Sequence, residues 1–391
     1  MSAPLSAVRA VPAWSAAVGL AAVLVVTGAV PWAQAGQTTQ RLAPLLVFLV
    51  AATVLAELTD AAGVFDRAAA WAARGARGRT RVLYVLMSLV AVAVTVVLGL
   101  DATAVLLTPV VLAVARRIGS PPWPWALATV WLANTASLLL PVSNLTNLLA
   151  AERLGLDARS FATLLWPAAL TAIAGTILVL TLTVGRQVRG RYAVMDAPPV
   201  ADRGLLVVAS ACCAALVVLT LAGLPLPAVA AGCATVLAAV TAVRRPAALR
   251  TASLVPWRLC LLVVGLFVIV TALLDHGLAA WTAAAAGDGD GLGALVRLAG
   301  LGALTSNAVN NLPAYLALEP TAAEPMRTAA LLVGVNVGPV VTLWGSLATM
   351  LWWDRCRARG IPVSARRFAG SGAVLALVLV PLAVLALSWK G

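Results

Sequence analysis

The feature that most constrains this chain is a series of apolar runs of about 17 to 25 residues, the length an α-helix needs to cross the hydrocarbon of a bilayer. They lie at 13–31, 42–59, 160–184, 204–222, 226–243, 259–275 and 369–389. Four further segments, 82–115, 125–150, 292–322 and 328–353, are as apolar but interrupted by polar residues and proline. With 62% of 391 residues hydrophobic and 10% charged, the chain cannot hide this surface in a water-soluble globule, whose composition is nearer half apolar and a quarter charged. It reads as an all-α, multi-pass membrane protein.

A net charge of +13 would suggest nucleic acid as a partner of a soluble protein, but here the arginines sit between the apolar runs. The clusters are Arg67, Arg74, Arg77, Arg79 and Arg81; Arg116 and Arg117; Arg186, Arg189, Arg191 and Arg203; Arg244, Arg245, Arg250 and Arg258; and Arg355, Arg357, Arg359, Arg366 and Arg367. Cytoplasmic loops are rich in Arg and Lys, so a threading with a cytoplasmic N-terminus puts all of these, with Arg9, inside. Glu152, Asp157, Asp288, Asp290, Glu319 and Glu324 then fall outside. The charge describes topology in the inner (plasma) membrane, and no nucleic-acid partner is expected.

Residues 82–115 have basic clusters at both flanks, so both ends belong on the cytoplasmic side. Thirty-four residues are too few for two crossings of about 20 each plus a turn. A re-entrant hairpin with Asp101 at its tip fits. The "AQA" at 33–35 resembles a signal-peptidase site, but the run before it exceeds the roughly 7 to 15 residues of a secretory apolar region, so it reads as a retained helix. The five cysteines form no CxxC pair and mostly lie in apolar runs, where a thiol behaves as a small hydrophobe. No disulfide, metal site or cofactor is expected.

"TDAAGVFDRAAAWAA" (59–73) resembles "LLDHGLAAWTAAAA" (273–286), and each stands between an apolar helix and an interrupted segment. The threading gives the two helices opposite directions, as in transporters built from inverted repeats. Each half then has one hairpin tip, "LDATAV" (100–105) or "VNNLPA" (309–314), and one broken helix, at "LPVSNLTNL" (140–148) or "NVGPVVTLWGSLAT" (336–349). The expected organisation is an N-terminal helix over 1–41, a first repeat over 42–185, a cytoplasmic linker with two scaffold helices over 186–258, and a second repeat over 259–391. Breaks at membrane depth persist only where protein or a wet cavity satisfies the backbone. Four converging breaks would build a binding site at the midplane.

Asn offers both donors and an acceptor and tolerates left-handed backbone, so it suits such a tip and can still face a polar ligand. The plainer role, gluing helices together, is as common for any single amide. The candidate set is Asp101, Thr103, Ser143, Asn144, Thr146, Asn147, Asn307, Asn310, Asn311, Thr342 and Ser346. Asp101 stands out because an intramembrane carboxylate is costly and by default functional, although it could also cap the arm beginning at Ala102. Glu57 and Asp60, near Arg67, read as interfacial solvated charges, and His276 lies at an outer helix end. A lipid-acting enzyme would need a cluster of His, Asp, Glu or Cys near one interface, and the acids are scattered singly with one His.

"SNLTNLLAAERLGLDARSFA" from 143, "NAVNNLPAYL" from 307 and "NVGPVVTLWGSLATMLWWDRCRARGIPVS" over 336–364 resemble the ArsB-type arsenite efflux permeases of the ion transporter superfamily. The likeness runs from about residue 42 to the C-terminus. It departs at Val340, Val341, Leu343 and Trp344, where arsenical pumps carry a Lys and a "TPIGS"-like run, and at "LDATA", which lacks their Asn-Asp-Gly. The resemblance implies a secondary carrier exporting As(OH)3 or Sb(OH)3 in exchange for protons, working as a homodimer. Related carriers imply two alternatives, a sodium/proton antiporter and a sodium-coupled anion or dicarboxylate carrier, with H+ or Na+ as the coupling ion. Lys390 is the only lysine, so no GxxxxGK[ST] phosphate loop exists in the chain, and any ATP dependence needs a peripheral ATPase subunit.

Overall fold

The computed structural model describes residues 13–193, 201–251 and 254–389, so Arg9 and Lys390 lie outside it. Among the described residues the chain is helical without a named strand. Helices α1 (Ala13–Val26) and α2 (Trp32–Ala61) come first. The polar stretch "QAGQTTQR" between the first two apolar runs continues α2 toward its N-terminus, so the second helix begins ten residues ahead of the expected 42. Gly63, at φ 81°, then turns the backbone into α3 (Val64–Gly75), an amphipathic helix that buries Phe65, Ala69, Ala72 and Ala73.

The first interrupted segment is α4 (Thr80–Leu98), a reversal at Gly99, α5 (Leu100–Ala102), one π-helical turn over 103–107, and α6 (Thr108–Arg117). α3 packs against both α4 and α6, so one amphipathic helix touches the two arms of the hairpin. The first broken helix is α7 (Pro122–Thr135), an irregular stretch over 136–144, and α8 (Leu145–Leu154). The break opens earlier than "LPVSNLTNL" suggested, with a 3-10 turn at Ala136–Leu138. Spanning helices α9 (Ala158–Val184), α10 (Arg203–Leu221) and α11 (Leu226–Arg244) follow, then the short α12 (Pro246–Thr251).

The second half opens with α13 (Trp257–Leu273) and α14 (Ala279–Ala286), joined through Gly277 at φ 104°. Gly63 and Gly277 are thus matching turns, and each precedes a short helix with one exposed tryptophan, Trp71 or Trp281. The second hairpin is α15 (Leu292–Val309), a reversal at Asn310, and α16 (Asn311–Leu318). The second broken helix is α17 (Pro325–Val337), a non-helical stretch over 338–346, and α18 (Leu347–Ala358), and α19 (Ala365–Ser388) closes the chain. Among the described residues eight helices are long and apolar enough to cross a bilayer, with exposed Leu, Val and Trp on their surfaces. The half-helices α7 and α17 are instead almost wholly buried, which is where the irregular backbone that follows them can be satisfied.

Candidate functional site

The two hairpins reverse through the same backbone conformation. Gly99 has φ 90° and ψ 166°, and Asn310 has φ 98° and ψ 152°. This region is close to glycine-only, so Asn310 is strained and must be held by its surroundings. Its amide donates to the Trp344 carbonyl at 2.9 Å, and its Oδ1 accepts from the Leu312 amide N–H at 3.4 Å, capping α16. At the first tip a Cβ on Gly99 would stand 3.3 Å from the Ser143 carbonyl oxygen and 3.4 Å from that of Val142. Each tip therefore rests on the break of its own half. Ser143 reinforces the first contact by donating to the Val96 carbonyl at 3.0 Å. Asn307 reinforces the second, accepting from Val341 and Thr342 backbone N–H groups while its amide donates to Gly338 at 2.8 Å.

The second half-helix of each break starts at a side-chain cap. Asn144 caps α8 through the Thr146 N–H, and Ser346 caps α18 through the Thr349 N–H at 3.1 Å. Each cap is braced by an asparagine from the other half. Asn336, near the end of α17, accepts from Asn144 Nδ2 at 2.8 Å and Thr146 Oγ1 at 2.9 Å, and donates to Asn147 Oδ1 at 2.7 Å. Asn134, near the end of α7, donates to Thr349 Oγ1 at 3.3 Å, and Thr349 in turn meets Ser346 Oγ at 2.9 Å. The first residues of α5, α8, α16 and α18 thereby line one region, where helix N-termini carry N–H groups and a partial positive charge.

Two cavities meet there. The first, about 460 Å³, is lined by Gly99, Asp101, Ser143 and Asn144 and by the charged Glu57, Arg258 and Arg355. The second, about 290 Å³, is lined by Asp101, Asn144, Asn310, Asn311 and Trp344. Both share Asp101, Asn144, Leu145 and Leu347. Asp101 Oδ1 is buried and has no hydrogen-bond partner among the described residues. A polar atom buried in that way is costly unless something else occupies the space beside it. Residues 5–336 match the model of the citrate transporter (CitMHS) family.

The chain belongs to the citrate transporter family. It is a membrane transporter, not an enzyme. The arsenical pump membrane protein of Escherichia coli K12 is 29% identical over 401 residues, covering 96% of this chain and 93% of that relative. An uncharacterized transporter of Mycobacterium tuberculosis is 27% identical over 368 residues, covering 87% and 84%. The crystal structure of the YdaH transporter of Alcanivorax borkumensis superposes with a TM-score of 0.62 over 97% of both chains at 16% identity, a likeness of fold.

Within this citrate transporter family fold, the eleven residues expected at the site fall into three groups. Asp101, Ser143, Asn144, Asn310 and Asn311 line the cavities. Thr103 lies behind the first tip, bonded to Thr95 at 2.9 Å and to the Gly99 carbonyl at 3.1 Å. Thr146, Asn147, Asn307, Thr342 and Ser346 hold the breaks and caps in place. Sequence reasoning passed over Asn134, Asn336, Ser137 and Thr349, which complete the bracing network, and it left Glu57, which lines the first cavity, out of the candidate set. An isolated asparagine near the end of an apolar half-helix was the available signal.

Proposed function

We propose that the chain exports a small neutral inorganic solute, arsenite or antimonite as the trihydroxy acid, in exchange for protons. The observation that carries this reading is the unpartnered Asp101 oxygen on the wall shared by both cavities. A carboxylate there can hold a proton in one state and accept hydrogen bonds from a polyhydroxy solute in the other, so proton and solute compete for one group. Around it stand amides, hydroxyls and apolar side chains, and the cavity arginines Arg258 and Arg355 line only the first cavity. A relative named as an arsenical pump supports the choice of solute. Exchange of one proton inward for one neutral molecule outward moves one positive charge inward, so both the pH gradient and the membrane potential drive export.

The matched tips, turns and caps support two halves related as an inverted repeat, with the boundaries expected above. By the distribution of arginines we place the N-terminus and the Glu57, Arg258 and Arg355 lining of the first cavity toward the cytoplasm of a cell with the carrier in its inner membrane. The access path then opens inward. We expect a homodimer, and a peripheral ATPase subunit where ATP drives transport.

One observation favours a second reading. Helix N-termini lining one region suit an anion, so a sodium-coupled citrate-type carrier is the competitor, and a sodium/proton antiporter uses the same carboxylate. The deciding experiment expresses the chain in cells stripped of their arsenite exporters. Raised arsenite and antimonite tolerance, with proton-dependent arsenite uptake by everted vesicles, is the expected result. Unchanged tolerance in cells that insert the protein, together with sodium-dependent citrate uptake or raised sodium tolerance, replaces it.

A further inference from the structure

On the face that carries the arginine clusters, two segments more than a hundred residues apart are stapled together. The Thr80 N–H donates to the Gly190 carbonyl at 3.2 Å and the Tyr192 N–H to the Gly78 carbonyl at 2.9 Å, so Arg79 and Arg191 pair as an isolated antiparallel bridge. Tyr192 also donates its hydroxyl to the Ala73 carbonyl at 2.5 Å. Gly78, at φ 76°, has room for no side chain, because a Cβ would stand 2.9 Å from the Tyr192 carbonyl oxygen. Arg77 beside it is held at φ 48°, left-handed backbone that a long side chain seldom adopts.

The result is that Arg77, Arg79, Arg189 and Arg191, all exposed, are gathered at one place by backbone contacts. Among the described residues no ion pair neutralises them. The ion pairs among the described residues are Arg153–Glu319 and Arg244–Asp202, both elsewhere. Asp66 is the one acid of the neighbouring α3 and makes no ion pair among the described residues. Bringing like charges together against strained backbone is unfavourable by itself, and a bound anion would offset it.

The setting identifies the anion. The staple joins the start of the spanning helix α4 to the loop just after the spanning helix α9, so it lies at the depth of lipid headgroups. Beside it α3 buries one face and exposes Trp71, with the Arg67 guanidinium 6.0 Å from the ring centroid, the pattern of a helix lying in the interface. We propose that this staple is a binding site for the phosphate headgroup of an anionic phospholipid, which anchors the root of the first hairpin. Clusters of about four to eight basic residues at a membrane surface recognise such lipids.

The test uses the full-length protein extracted in mild detergent and examined by native mass spectrometry and thermal unfolding. The wild type is expected to retain phosphatidylglycerol through purification and to gain thermal stability when it is added, but not with phosphatidylcholine. Arg77/Arg79→Gln and Arg189/Arg191→Gln double variants, each half of the cluster, are expected to weaken retention about tenfold while eluting as folded protein. A variant lacking Arg366 and Arg367, on the same face, should retain the lipid and serves as the control. Equal lipid retention by wild type and both double variants overturns the site. Stabilisation of the wild type by inorganic phosphate to the same extent as by the lipid overturns the lipid assignment.

Discussion

Asn336 Nδ2 and Asn147 Oδ1 lie 2.7 Å apart although 189 residues separate them, and both side chains are buried. Asn336 spends three of its four side-chain hydrogen bonds on the start of α8, through Asn147, Asn144 and Thr146. Asn336→Ala removes three bonds. At about 0.6 kcal/mol for a bond between membrane helices, the loss is about 2 kcal/mol, visible as a lower thermal midpoint in detergent. Asn336→Asp keeps both acceptors but sets a carboxylate oxygen against Asn147 Oδ1, so it should be no better than alanine unless Asn147 turns its amide over. A variant as stable as wild type would show that the brace is incidental.

The hairpin tips predict an asymmetry between alanine and glycine. Asn310→Gly suits the backbone and loses only the side-chain bonds, whereas Asn310→Ala and Gly99→Ala each force a β-carbon into φ near 90–98° at about 1–3 kcal/mol. Gly99→Ala should be the worse of the two alanine variants, because its Cβ also crowds the Ser143 and Val142 carbonyls. Thermal unfolding of the three proteins in parallel ranks them.

Asp101→Asn should fold and insert normally, since among the described residues no hydrogen bond depends on its buried Oδ1. Proton-driven arsenite uptake into everted vesicles should fall to background, while exchange of labelled for unlabelled arsenite without a gradient survives in part. Wild-type uptake in the variant would remove Asp101 from coupling.

Both arms of the first hairpin should open to one side. In a background without the native cysteines, Arg81→Cys and Arg117→Cys, both at exposed positions, should react with an impermeant maleimide from the same face, and Asp288→Cys from the other. Labelling of the first two from opposite faces would turn the hairpin into a crossing.

A pH effect is expected at the ion pair between Asp202, just ahead of α10, and Arg244, the last residue of α11. Arg244, donating at 2.8 and 2.9 Å, and the Leu205 N–H hold the Asp202 carboxyl down at about 2. Because the folded value lies below the ordinary one, the contribution of the pair is complete above about pH 4 and is lost as pH falls through about 2. Stability profiles of wild type and Arg244→Gln should therefore run parallel above pH 5 and converge in strong acid.

Much of the architecture was legible because the bilayer imposes it. Apolar length located six of the eight helices long enough to span, whereas α4 and α15 were expected as arms of re-entrant hairpins and the run at 13–31 yields only the 14-residue α1; polar interruptions located both tips and both breaks to within a few residues. Asn144, Asn310 and Asn311 could be seen because they punctuate apolar runs, and Asp101 because a lone carboxylate in such a run is costly. The bracing partners were not legible as a set. Asn134 pairs with Thr349 across 215 positions, and nothing local in either segment encodes that distance. The helical stretch at 34–41 was missed for the opposite reason: its polarity argued for a connector, but residues outside the hydrocarbon can continue a helix already nucleated by the span.

The crossed asparagines also dictate an order of events during synthesis. Asn144, Thr146 and Asn147 enter the bilayer long before Asn336 exists, and at about 5 to 20 residues per second the wait for 189 residues is roughly 10–40 s. For that interval the newborn first half carries unmet amides at membrane depth, which invites water, the insertion machinery or a wrong helix to satisfy them. The transport pathway is consequently the last part of the molecule to mature, and a ribosome stalled between α12 and α17 would leave a stably threaded chain without a site.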